Sequence, residues 1–344
     1  MAFFTDEAWQ PPTHWRRIST VEMHTGGEPL RVITSGLPPI EGRTVLEKRR
    51  YFRERYDHLR TGLIWEPRGH ADMYGAVVTP SETADFDVFF LHNEGYSTMC
   101  GHAIIALTTL ALETGRRADR GDTAQLTINA PAGTVQARGV IEDGRVREVF
   151  FRNVPSFAYL QGLQVEVPGL GRVQLDIAYG GAFYAITEAA PLGLTLAPQE
   201  YDRLIDHGRR IKRAVMEQQA ITHPTEGDLS FLYGTIFTGP ATQPGHHSRN
   251  VTIFADGEVD RSATGTGVSA RAALLHARRE LRTGEKLAIE SILGSTMTVR
   301  CVAQTRFGPH AAIIPEVSGT AHIIGRSEFC FDPDDSLKHG FLIR

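Results

Sequence analysis

The fold is decided by two similar stretches of the chain, Phe90-Leu-His-Asn-Glu-Gly-Tyr-Ser-Thr-Met-Cys-Gly-His102 and Phe254-Ala-Asp-Gly-Glu-Val-Asp-Arg-Ser-Ala-Thr-Gly-Thr266. Each stretch follows a β-rich run and leads into a helix of small and apolar residues. Cys100 stands at the start of the first helix, and Thr264 stands at the start of the second. A thiolate can act as a base near neutral pH and a threonine hydroxyl cannot, so this difference bears on the chemistry.

The two helices are predicted over residues 101–114 and 265–282. The first carries large apolar side chains around its whole circumference, namely Ile104, Ile105, Leu107, Leu110 and Leu112. A helix that is apolar on all sides must be enclosed by other elements, and Gly115 is its expected C-cap. The second helix becomes basic at Arg278 and Arg279, so we expect its C-terminal end to meet water.

Short strand patterns punctuated by turn residues surround both helices, without the strand and helix alternation of a parallel sheet. The sequence therefore predicts an α+β protein with two pseudo-symmetric half-barrel domains, each wrapped around a central helix. The predicted domains are residues 1–160 and 161–327, and a tail over about 328–344 is predicted to return to the first domain. The two helix N-termini are expected to face each other across a cleft.

Composition narrows the class of partner. The chain has 344 residues, a formal charge of -4 and a pI near 6.4, which argues against nucleic acid or an anionic membrane as the main partner. The first residues show no basic and then apolar leader, and no run of about 18 apolar residues occurs. We expect a cytoplasmic protein that binds a small molecule, and a homodimer is left open.

Cysteine usage points to one reactive thiol. Three scattered cysteines suit neither a disulfide framework nor a zinc knuckle, and Cys301 and Cys330 lie in apolar strand patterns. Cys100 at a helix N-terminus faces unsatisfied N–H groups, which are expected to lower its pKa by about one unit, with His102 available for more. A buried structural thiol is the alternative, and Gly101 favours function because it lets a ligand approach the backbone.

The second helix N-terminus suits an anion. Gly265 and Thr266 offer free amides there for a group such as a substrate carboxylate. On spacing alone, Asp260 suits either a substrate nitrogen or an N-cap or turn role. No dinucleotide or Walker pattern is present, and His70 with Asp72 lacks a third metal ligand. We expect neither a cofactor nor a metal.

The sequence resembles the proline racemase family through motifs spread over most of the chain. These motifs are Met23-His-Thr-Gly-Gly-Glu-Pro-Leu-Arg-Val32, Glu66-Pro-Arg-Gly-His-Ala-Asp-Met-Tyr-Gly-Ala76, Met99-Cys-Gly-His102, Asn153-Val-Pro-Ser-Phe157, Asp176-Ile-Ala-Tyr-Gly-Gly181, Asp260-Arg-Ser262, Gly265-Thr-Gly267 and Ile314-Pro-Glu-Val317. The resemblance implies a diaminopimelate-epimerase-like fold and cofactor-independent chemistry at the Cα of an imino acid. It also implies that the amides of Gly101, His102, Gly265 and Thr266 bind the substrate carboxylate and that Asp260 holds the ring nitrogen.

The family's racemases carry a second cysteine where this chain has Thr264. Two thiols on opposite faces of a substrate allow one to remove the Cα proton while the other delivers one. The combination of Cys100 with Thr264 is similar to the branch of the family that dehydrates trans-3-hydroxy-L-proline, so the resemblance implies elimination of the 3-hydroxyl.

Three other readings stay open on sequence grounds. One is a racemase or epimerase of proline or 4-hydroxyproline that uses Thr264. Another is a catalytically silent imino-acid-binding homologue. The third, outside the resemblance, is a thiol-dependent acyl transferase in which Cys100 acts with a histidine.

Overall fold

The structure, a computed structural model, describes residues 9–114 and 123–343, and eighteen strands in these ranges join into one continuous sheet. The first set of elements comprises β1 (Arg16–Thr25), β2 (Glu28–Ser35), α1 (Val45–Ile64), β3 (Tyr74–Thr79), β4 (Phe86–His92), β5 (Tyr96–Ser97), α2 (Gly101–Glu113), β6 (Thr123–Ala130), β7 (Gly133–Glu142) and β8 (Arg145–Arg152). The second set comprises β9 (Phe157–Val167), β10 (Gly171–Tyr179), β11 (Phe183–Glu188), α3 (Tyr201–Gln218), β12 (Leu232–Gly239), β13 (Ser248–Phe254), β14 (Glu258–Val259), α4 (Gly265–Ala277), β15 (Lys286–Glu290), β16 (Thr296–Phe307), β17 (His310–Gly319) and β18 (Ala321–Phe331).

The two sets repeat one pattern of strand pairing. In the first set, β2 and β3 are parallel, β3 and β4 are antiparallel, and β4 pairs in parallel with β6, which begins after α2. In the second set, β11, β12, β13 and β15 follow the same order of parallel, antiparallel and parallel pairs around α4. The repetition is the pattern that two halves related by a pseudo-dyad would give.

The two halves exchange strands at their edges. β8 pairs with β17, and β18 returns to pair with β1. The return begins with the pair Thr25 and Ala321, earlier than the predicted start near residue 328. The division into domains 1–160 and 161–327 stays a prediction. The pairs β8–β17 and β1–β18 join the two halves by hydrogen bonds at two places in the sheet.

Both central helices are enclosed by strands. α2 is buried from Gly101 to Thr109 and packs against β7 and β8 of its own half and against β1 and β18. α4 is buried from Gly265 to Leu275 and packs against β9, β10, β16 and β17. The apolar composition of each helix therefore matches an all-round apolar environment. The C-cap of α2 is Thr114, and Gly115 lies outside the described residues.

The predicted end of the second central helix at residue 282 was wrong. α4 ends at Ala277, because Arg279 adopts a left-handed φ of 64°. The amide of Arg279 donates to the carbonyl of His276 and that of Glu280 donates to the carbonyl of Leu275, which is the Schellman pattern. The predicted end of the first helix at residue 114 was one residue beyond Glu113.

The other two helices lie on the outside of the halves. α3 buries Leu204, Gly208, Ile211 and Val215, a spacing that presents one face, and that face packs on β12 and β13. α1 begins with a capping box formed by Thr44 and Glu47. Not all of its charged side chains face solvent, because Lys48 is buried and binds the Asp87 carboxylate at 2.7 Å.

Some kinds of site do not occur in the described ranges. Cys100, Cys301 and Cys330 are all free thiols there. Residues 9–114 and 123–343 contain no cluster of three or more histidine, cysteine or acidic side chains placed to hold a metal ion. In the same ranges no helix is long and apolar enough to cross a membrane.

Candidate active site

The N-termini of the two central helices meet directly. A Cβ atom placed on Gly101 would lie 2.6 Å from the Cα of Gly265, and one placed on Gly265 would lie 2.7 Å from the Cα of Gly101. Only glycine permits backbones to approach so closely, which explains both residues. The first amides of a helix have no intrahelical acceptor. Two sets of such amides therefore converge on one point, where an anion would meet both positive helix ends.

Cys100 is the N-cap residue of α2. Its Sγ accepts a hydrogen bond from the Ala103 amide at 3.4 Å, and it lies 3.1 Å from the Nδ1 atom of His102. The His102 ring is buried, and it packs edge-on against the Tyr74 ring with centroids 4.8 Å apart. The thiol therefore has a helix-end donor on one side and an imidazole on the other.

The expected lowering of the Cys100 pKa was wrong. Burial raises the pKa of the Cys100 thiol well above its ordinary value, and Asp260 and Glu28 add to the rise. The hydrogen bonds from the Ala103 amide and from Tyr74 lower the pKa but do not outweigh burial. Burial also lowers the pKa of His102, so a neutral thiol beside a neutral imidazole is the favoured resting state.

Thr264 occupies the corresponding position before α4, and it differs from Cys100 in more than its side chain. Its φ is 67°, a left-handed conformation that is costly for a β-branched residue. Its hydroxyl makes no capping bond to α4 and instead donates to the hydroxyl of Thr252 at 2.8 Å. The structure therefore brings Thr264 to the site with its proton directed away into the second half.

Asp260 is buried, and its Oδ1 atom accepts the amide of Ser262 at 2.7 Å. This bond is the turn role that its spacing allowed. The turn is held from the first half, because the Glu28 carboxylate accepts the amide of Arg261 at 2.7 Å. The Asp72 carboxylate forms an ion pair with the Arg261 guanidinium, also at 2.7 Å. Asp72 thus contributes to the site through an ion pair, a role that the sequence did not indicate.

One cavity collects every residue that the sequence singled out for the site. Its walls include Cys100, Gly101, His102, Asp260, Thr264, Gly265 and Thr266. Sequence reasoning missed the remaining wall residues, which are Tyr74, Met99, Tyr184, Tyr233 and Phe254. Tyr74, Met99 and Phe254 lie inside motifs quoted above, whereas no local pattern marks Tyr184 or Tyr233. The Tyr184 hydroxyl bonds to the Thr266 hydroxyl at 2.7 Å.

Fold and site together define a class of enzyme. Two strand-wrapped helices converge at their N-termini beside a buried thiol, and their free amides suit the cavity to an anion. The chain belongs to the proline racemase family, whose sequence model matches residues 20–342. The family resemblance seen in the sequence is thereby confirmed. The α+β, diaminopimelate-epimerase-like fold is confirmed by similar solved structures, one of which is described below.

Particular relatives are similar over nearly the whole chain. A trans-3-hydroxy-L-proline dehydratase of Colwellia psychrerythraea is 50% identical over 343 residues, covering 98% of this chain and 97% of the relative. A human protein of the same name is 46% identical over 335 residues, covering 95% of each chain. The crystal structure of a hydroxyproline epimerase from Agrobacterium vitis with bound trans-4-hydroxy-L-proline is similar with a TM-score of 0.90, at 30% identity and 96% coverage of each chain.

Proposed function

We propose that this protein is a hydro-lyase that dehydrates trans-3-hydroxy-L-proline to Δ2-pyrroline-2-carboxylate, which tautomerises to Δ1-pyrroline-2-carboxylate, without a cofactor. One observation carries the proposal: a thiol and a threonine hydroxyl occupy equivalent positions before two helices that meet at one point. The two relatives described above, at 46% and 50% identity, are named trans-3-hydroxy-L-proline dehydratase, which supports the choice of substrate.

The substrate carboxylate binds where the two helices meet. The amides of Gly101 and His102 on one side, and of Gly265 and Thr266 on the other, point toward it. Removal of the Cα proton places negative charge next to the carboxylate, and preorganised amides stabilise such charge most where water is excluded. Asp260, at the edge of the same cavity, accepts a hydrogen bond from the ring nitrogen.

Cys100 removes the Cα proton. Its raised pKa opposes ionisation, and the cationic ring nitrogen of the substrate favours the thiolate because an opposite charge within about 4–6 Å lowers a thiol pKa. His102, whose Nδ1 lies 3.1 Å from Sγ, accepts the thiol proton as the thiolate forms. Substrate binding and activation of the base are therefore coupled.

Stereochemistry fixes the face of the reaction. In the trans isomer the carboxylate and the 3-hydroxyl lie on opposite faces of the ring, so the Cα hydrogen and the hydroxyl share a face. Cys100 approaches from that face. Thr264 lies across the ring and gives its hydrogen bond to Thr252, so it delivers no proton to the opposite face of Cα. Elimination then has no competing inversion.

The proposed function is tested by supplying the purified protein, with no cofactor added, with trans-3-hydroxy-L-proline, trans-4-hydroxy-L-proline or L-proline. We expect irreversible consumption of the first alone, with formation of the cyclic imine. Change of optical rotation in the second or third would instead support an epimerase or racemase. Binding of the first without any reaction would support a silent homologue.

The role of Cys100 has its own test. Cys100→Ala removes the base and leaves the amides of both helices in place. We expect this variant to lose both Cα deuterium exchange and dehydration. It should still bind pyrrole-2-carboxylate, a planar analogue of the substrate. Exchange that persists in this variant would show that another group removes the proton.

A further inference from the structure

The proposed elimination leaves one proton transfer without a donor. Hydroxide is a poor leaving group and requires protonation as the C–O bond breaks. The hydroxyl departs on the ring face that Cys100 approaches, so its proton donor must lie on that side of the cavity. Thr264 lies on the other side, and its hydroxyl donates to Thr252.

Tyr74 is placed on the required side. It lines the same cavity as Cys100, is almost wholly buried, and begins β3 in the same half of the chain. Its hydroxyl shares a hydrogen bond with the hydroxyl of Ser97, and the phenol is near enough to the Cys100 sulfur to lower the pKa of the thiol. Its ring packs edge-on against the His102 ring, with centroids 4.8 Å apart.

We propose that Tyr74 is a further catalytic residue, the acid that protonates the departing 3-hydroxyl and takes its replacement proton from the Cys100 thiol. This role rests on the dehydration proposed above. The Tyr74 oxygen has one proton and two lone pairs, so it can donate to one neighbour while it accepts from another.

The direction of the hydrogen bond between Tyr74 and Cys100 supplies the timing. While Cys100 is a thiolate, the phenol donates to the sulfur. Once Cys100 has taken the Cα proton, its S–H can donate to the phenol oxygen, and the phenol proton is free to turn toward the substrate hydroxyl. Burial keeps the phenol protonated, because it raises the pKa of Tyr74 well above its ordinary value.

The step balances without any outside acid. The Cα–H bond breaks and its electrons form the Cα–Cβ double bond, while the C–O bond breaks and its electrons leave with oxygen. The Tyr74 proton joins that oxygen to give water, and the Cys100 proton passes to Tyr74. Cys100 ends as a thiolate, so the proton removed from Cα is replaced on the water by way of Tyr74.

Other donors in the cavity fit less well. The Nδ1 atom of His102, which holds the proton taken from the thiol, faces the sulfur. Tyr184 and Tyr233 are the other two phenols of the cavity, and both lie on strands of the second half. The Tyr184 hydroxyl bonds to Thr266 of the opposite helix at 2.7 Å. Tyr184 therefore provides a matched control, because it is the same chemical group beside the other helix N-terminus.

The test compares Tyr74→Phe with Tyr184→Phe in D2O and follows water loss and Cα deuterium exchange in the same sample. For Tyr74→Phe we expect water loss to decrease by about 10²–10³-fold, in the range for general acid catalysis, while exchange at Cα stays within about tenfold of the unaltered protein. Deuterated, unreacted trans-3-hydroxy-L-proline should therefore accumulate. Tyr184→Phe should keep the original ratio of water loss to exchange.

A substrate whose leaving group needs no proton separates acid catalysis from a structural effect. With trans-3-chloro-L-proline, Tyr74→Phe should eliminate chloride at a rate within about tenfold of the unaltered protein. Equal losses with both substrates, or water loss that is unchanged in Tyr74→Phe, would overturn the role of Tyr74. Failure of the unaltered protein to dehydrate trans-3-hydroxy-L-proline would instead refute the proposed function, before any variant is compared.

Discussion

Gly101→Ala is the sharpest test of the contact between the two central helices. The added Cβ would lie 2.6 Å from the Cα of Gly265 and 3.1 Å from the Phe151 ring. The first neighbour is backbone inside a buried helix, so it cannot rotate away as a flexible side chain would. The substitution therefore has to push the two helix N-termini apart.

The size of the effect follows from that distance. Carbon atoms pack at about 3.5–4.0 Å, so the helices must separate by roughly 1 Å. A displacement of 1 Å between substrate-positioning groups can cost about 10²-fold in rate, or about 2.7 kcal/mol at 1.36 kcal/mol per tenfold. Overpacking should decrease the free energy of unfolding by about 1–3 kcal/mol, against which alanine regains only about 1 kcal/mol of helix propensity.

The measurement is kcat/KM with trans-3-hydroxy-L-proline, together with urea unfolding. Gly95→Ala is the matched control, because a Cβ at Gly95 meets nothing within 4 Å and its φ is not in the left-handed range. We expect a decrease of about 100-fold for Gly101→Ala and little change for Gly95→Ala. Activity within threefold of the unaltered protein in Gly101→Ala would refute the close contact of the two helices.

Two further predictions concern the bases. Thr264→Cys should gain detectable epimerisation of hydroxyproline or proline, because it places a thiol opposite Cys100. It also removes a β-branched side chain from a position whose left-handed φ is 67°. An optical assay that detects no gain would argue that position 264 does not face Cα. The kcat/KM of the unaltered protein should stay nearly constant between about pH 7 and 8, because burial lowers the pKa of His102 and raises that of Cys100, so the neutral pair that passes the thiol proton from sulfur to imidazole is the main form across that range. An increase of about tenfold per pH unit would instead show that the thiol loses its proton to solvent and not to His102.

Much of the site was predictable because local sequence carries its chemistry. The glycines and the residue that precedes each helix are fixed by backbone geometry within a few residues, so Cys100, Gly101, Thr264 and Gly265 were identified together. Phenols are different, since a tyrosine in a strand has the same local pattern whether it lies in a core or a cavity. Tyr184 and Tyr233 reach the cavity only because β11 and β12 are neighbours in the sheet.

The sequence by itself determined the two apolar helices, the strands that surround them and the exchange of a second thiol for Thr264. These are properties of periodicity and residue type, which act over short stretches. Only the tertiary structure decided that the helices meet at two glycines, that burial raises the pKa of Cys100, and that Thr264 gives its proton to Thr252. Each of these depends on desolvation or on contacts between residues far apart in the chain, and neither is encoded in any local pattern.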